Sequence, residues 1–86
     1  MKLKEGFILR EVAGEIIVLP SGENLDLNMM ITLNETGKFL WQRLEAGAEM
    51  DELVQAMLAE YDVDEAKARA GAERFVQTLN EKGFLA

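Results

Sequence analysis

Between Ile31 and Gly47 the chain reads ITLNETGKFLWQRLEAG, and across this stretch its apolar residues change from short clustered runs to a recurrence at every third or fourth position. Side chains repeat every two residues along a strand and every 3.6 along a helix. A chain that changes period once, at one place, is therefore expected to fold as strands first and helices afterwards.

The strand half starts with GFILREVAGEIIVLP, residues 6–20. Branched and aliphatic residues flank Ala13-Gly14 on both sides, the pattern of a hairpin, and Pro20-Ser21-Gly22 stops its second strand. A third strand is expected within NLDLNMMITL, where Leu25, Leu27, Met29 and Ile31 alternate with Asp26, Asn28, Met30 and Thr32. The first set faces the core, and the outward set is polar apart from Met30.

Helix signals follow at once. Thr32-x-x-Glu35 fits a capping box and Asn34 is an alternative N-cap, so the first helix is expected over about 34–46. Its stripe is Leu33, Gly37, Leu40, Trp41 and Leu44, and Gly47 stands at its end. A second helix over 49–61 carries Met50, Leu53, Val54, Met57, Leu58 and Tyr61 in one row. A third over 64–81, capped by Asp62 or Asp64, carries Ala68, Ala72, Phe75, Val76 and Leu79, and Gly83 turns Phe84 and Leu85 back onto the core. Segregated strands and helices give an α+β domain spanning 1–86: a small three-stranded antiparallel sheet followed by a three-helix bundle, like a winged helix-turn-helix.

Composition narrows the chemistry. Among 86 residues there is no cysteine and no histidine, which removes disulfides, thiol catalysis, soft-metal ligation and the usual acid–base group at neutral pH. No catalytic motif occurs, so the reading is a non-enzyme without a cofactor. The formal charge of -7 disfavours nucleic acid or an anionic membrane as partner. The N-terminus lacks the apolar core of a signal peptide and no run is long enough to span a bilayer, so a cytoplasmic protein is expected.

Three features invite a functional reading. The acids Glu60, Asp62, Asp64 and Glu65 suggest a hard-cation site, but they lack the glycine and closing glutamate of an EF-hand loop and already suit a helix N-terminus. Phe39 and Trp41 suggest a stacking platform, yet Trp41 falls on the buried stripe, while Phe39 lies off it and is expected to meet another element. Residues 66–82, the third helix and its end, hold Lys67, Arg69, Arg74 and Lys82 against Glu73 and Glu81. Lys67, Gly71, Arg74 and Thr78 flank its buried stripe on one side, either as a groove wall or as a solvated face balancing acidic neighbours.

MMITLNETGKFLWQRLEAG, a helix ending AEYDVD, and the spacing F-V-x-x-L-x-x-x-G-F-L together closely resemble the PqqD-like family, the recognition elements of ribosomally synthesised and post-translationally modified peptide (RiPP) pathways. The resemblance runs from about Leu3 to Leu85. It implies a winged-helix-like adaptor in whose groove, between the third strand and third helix, the leader segment of a precursor peptide lies as an added strand. A radical SAM or other maturation enzyme then modifies the tethered peptide, as in pyrroloquinoline quinone and lasso-peptide biosynthesis. Carried onto this chain, the peptide-binding residues are Leu25, Asp26, Leu27, Asn28, Met29 and Met30 on the strand, with Lys67, Gly71, Arg74 and Thr78 on the helix and Arg69 beside them. The two methionines suit an adaptable apolar pocket, and the cations suit leader carboxylates. Gly71 departs from the family, which often has Asp there. On this reading Leu33-Asn34-x-Thr36-Gly37 scaffolds the groove, and Gly37 lets the first helix approach the sheet. The alternative is a winged-helix DNA-binding regulator whose third helix enters the major groove. Exposed sheet edges also permit strand-mediated homodimers.

Overall fold

The computed structural model describes residues 1–21 and 30–86. Three strands, β1 (Phe7–Val12), β2 (Glu15–Pro20) and β3 (Ile31–Leu33), precede three helices, α1 (Glu35–Glu45), α2 (Met50–Glu60) and α3 (Glu65–Lys82). β2 is central, antiparallel to both neighbours, in the order β1-β2-β3. Ala13 and Gly14 both take positive φ, 54° and 84°, the two-residue turn whose twist matches that of the strands it joins.

Alternation sorts the sheet's two faces. Ile16 and Val18 are buried, Phe7, Leu9, Ile31 and Leu33 pack against the same core, and Thr32 and Met30 are exposed. The inward assignments of Leu25, Leu27 and Met29 fall outside the described residues.

Of the two candidate caps for α1, Asn34 is the one used: its Oδ1 accepts from the Gly37 N–H at 2.7 Å. Asp64 caps α3 in the same way, accepting from Lys67 N–H at 2.8 Å. α2 starts with a capping box in which Glu49 and Glu52 satisfy each other's backbone donors. Each such cap contributes on the order of 1 kcal/mol. Gly83, at φ 84°, ends α3 in the left-handed region, where a side chain is strained.

The predicted stripes of all three helices converge. Leu40, Trp41, Leu44, Leu53, Val54, Met57, Ala68, Ala72 and Leu79 are buried in one cluster with Val18 and Phe84. Phe84 returns onto the core as expected, its ring 4.7 Å from Phe7 and 5.7 Å from Trp41, centroid to centroid. The Trp41 indole N–H is buried with no hydrogen-bond partner among the described residues. Phe39 meets another element, its ring edge-on to Tyr61 just beyond α2, and carries the Arg43 guanidinium 5.0 Å above it. Lys38 Nζ donates to Glu11 Oε1, tying the start of α1 to β1, and this hydrogen bond raises the Lys38 pKa.

The chain's first residues, unassigned by any pattern, pair with its last. Leu3 bridges Leu85 antiparallel, Lys4 N–H donates to Phe84 C=O at 2.8 Å and Ala86 N–H to Lys2 C=O at 3.0 Å. No helix among the described residues is long and apolar enough to cross a membrane.

Candidate functional site

β3 lies at the edge of the sheet, and α3 runs past it at a distance that leaves a cleft of about 480 Å³. Its apolar part is made by Ile31 and Leu33 from β3, Leu40 from α1, and Phe75 and Leu79 from α3. These residues alternate on the strand and stand three or four apart on the helix, so each element contributes the margin of its core-facing stripe. An edge strand presents one row of backbone N–H and C=O groups without a strand partner. Here that row borders an apolar trough, the arrangement that lets an extended segment add a further strand and seat alternate side chains below it.

The polar rim is unequal. Arg74, Thr78 and Lys82 line the helical side, with Thr32, Asn34 and Thr36 opposite, so among the described residues the rim holds two cations and no acid. Among the described residues neither Arg74 nor Lys82 forms an ion pair. Thr78 Oγ1 donates to the Arg74 carbonyl at 3.0 Å.

The helical residues implied by the family resemblance separate on folding. Gly71, Arg74 and Thr78 line the cleft. Lys67, one turn nearer the start of α3, lies outside its lining. Arg69 is turned toward α2, donating to Asp51 Oδ1 at 2.9 Å with Glu65 Oε1 at 3.7 Å, and the Asp51 hydrogen bond is the main reason its pKa is raised. At 100° per residue Arg69 stands about 140° round the helix from Arg74, so α3 presents no continuous basic face. On the strand side Met30 is described, and is 47% exposed; Leu25, Asp26, Leu27, Asn28 and Met29 lie outside the described residues.

Besides the apolar lining Ile31, Leu40, Phe75 and Leu79, which it gave to the core alone, sequence reasoning missed two parts of the cleft. Lys82 is one, although it continues the row Lys67, Gly71, Arg74, Thr78 by a further four residues. The other is the turn into α1: Leu33, Asn34, Thr36 and Gly37 line the cleft as well as shaping it. A Cβ on Gly37 would lie 3.2 Å from Asn34 Oδ1 and 3.4 Å from both Leu33 Cβ and Phe75 Cε1. Gly37 thus brings the turn close to α3 and to the end of β3. The acids proposed as a cation site form no metal-holding group, nor do any others among the described residues.

Comparison with known proteins places this geometry. The family model for coenzyme PQQ synthesis protein D (PqqD) matches residues 5–85. No curated protein matches the chain. The structure of TbiB1 in complex with the TbiA(beta) leader peptide is similar with a TM-score of 0.79 at 27% identity, covering 99% of this chain and 94% of that one. A lasso peptide synthetase B1 complexed with the leader peptide gives a TM-score of 0.74 at 24% identity, over 96% of this chain and 93% of that one; at that identity the likeness speaks for the fold. Strand order, helix order and the match over nearly the whole chain agree, and the chain belongs to the PqqD family.

Proposed function

We propose that this chain is a single-domain, non-catalytic adaptor of the cytoplasm that binds the leader segment of a ribosomally made precursor peptide and presents it to a modifying enzyme, radical SAM or other. The observation that carries this reading is the cleft between the edge strand β3 and α3, in a chain of the PqqD family similar to a TbiB1 structure that holds a leader peptide.

Backbone hydrogen bonds to the edge of β3 supply affinity for an extended chain of any sequence, and the trough beside it selects side chains. Holding one end of the precursor raises its effective concentration at the enzyme to the millimolar range for a short flexible tether, without acid, base or metal from the adaptor. The family resemblance assigns Leu25 to Met30 to the peptide side of this groove, and Gly71, Arg74 and Thr78 face it from α3. The DNA-binding alternative finds no support in the family or in either structure, and the turning of Arg69 toward Asp51 removes a cation it would need.

Isothermal titration of the purified chain with synthetic N-terminal segments of short open reading frames encoded beside its gene tests the proposal. One-to-one binding at micromolar affinity or tighter is expected. Heat changes absent across all segments, with the fold intact by circular dichroism, overturn it.

A further inference from the structure

We infer that the cleft selects a leader segment with two carboxylates four residues apart and an apolar residue midway between them. The inference rests on the strand-addition reading above and deepens it to a class of sequence.

Arg74 and Lys82 are separated by eight residues of α3, about 12 Å along the helix at 1.5 Å per residue. An extended chain advances about 3.3 Å per residue, so four residues cover about 13 Å, and because four is even both side chains point to the same side. The residue two positions along points there too, over the partly exposed ring of Phe75 between the two cations. Among the described residues neither cation has an ion-pair partner and no acid lines the cleft. A carboxylate arriving there exchanges water for a charge-assisted hydrogen bond and displaces no partner. Arg69, by contrast, is already engaged by Asp51 and Glu65 and takes no part.

The test is a selection of random twelve-residue peptides, displayed on phage, against the immobilised full chain. The enriched peptides are then synthesised and titrated against the parent chain, Arg74→Gln, Lys82→Gln, and Arg10→Gln on β1 as a basic control outside the cleft. Enrichment of acid-x-apolar-x-acid is expected, with affinity falling tenfold or more in each cleft variant and less than twofold in the control. Binders without excess acid, or binders indifferent to both cleft variants, overturn the charge pattern and leave peptide binding standing. A selection that enriches nothing overturns both readings.

Discussion

The two flanks of α3 carry the same kind of side chain to different ends. On the flank toward α2, Arg69 is joined to Asp51 and Glu65; on the flank toward β3, Arg74 and Lys82 border a trough with no acid among the described residues of its rim. Between them Ala68, Ala72 and Leu79 are fully buried. One flank is completed by the chain itself, and the other offers the same chemistry outward. A count of basic residues on the helix cannot tell the two apart, because the difference is made by what α2 brings to one side and β3 leaves open on the other.

The largest test removes what both flanks rest on. Trp41→Ala is expected to cost about 3–5 kcal/mol by cavity formation, read in chemical denaturation, with peptide binding falling only as the folded fraction falls. Trp41→Phe costs less, since it also removes a buried N–H that lacks a partner among the described residues. Loss of binding at unchanged stability would move Trp41 into the site. Next, Ala72→Leu overfills the seat of α3 and is expected to cost about 1–3 kcal/mol, lowering the melting temperature and disturbing both flanks together.

Arg74→Glu acts on one flank alone. It is expected to weaken leader binding tenfold or more, about 1.4 kcal/mol, at an unchanged melting temperature; equal affinity in calorimetry would make the two flanks functionally alike. Gly71→Ala is expected to stabilise the fold by up to about 0.8–1 kcal/mol through helix propensity. The added Cβ meets Met57 Cε at 3.8 Å, an ordinary contact. A fall in melting temperature there would mean that the helix seats differently on α2. Arg69→Glu mirrors the Arg74 change with the smallest effect: it sets a third acid beside Asp51 and Glu65 on an exposed surface, where ion pairs are weak. A slight loss of thermal stability, relieved by salt, is the expected reading.

Much of this was written in periods and caps. The switch at Ile31–Gly47 marks the passage from β3 to α1, and the stripes of the three helices name the core almost residue by residue, because burial on one face leaves a repeat that sequence displays directly. The cleft was half legible. The row Gly71, Arg74, Thr78 follows from helical spacing, but ending the helix at 81 hid Lys82, its next member. That Arg69 would turn away needed the position of Asp51 eighteen residues earlier, which no local pattern carries. Lining by the α1 turn was missed because Asn34 and Gly37 had a sufficient local reason in capping and close approach, and one role concealed the other. The pairing of Leu3 with Leu85 left no periodicity to read.

That last pairing makes the chain a ring lacking one bond. A short linker from residue 86 to residue 1, with new ends cut at Ala13-Gly14, would give a circular permutant whose strands and helices all keep their partners. The cleft, built from residues Ile31 to Lys82, would remain in one unbroken stretch, far in sequence from both the old join and the new ends. The cleft is thus indifferent to where the polypeptide starts, and the β1–β2 turn is a place at which new ends leave it whole.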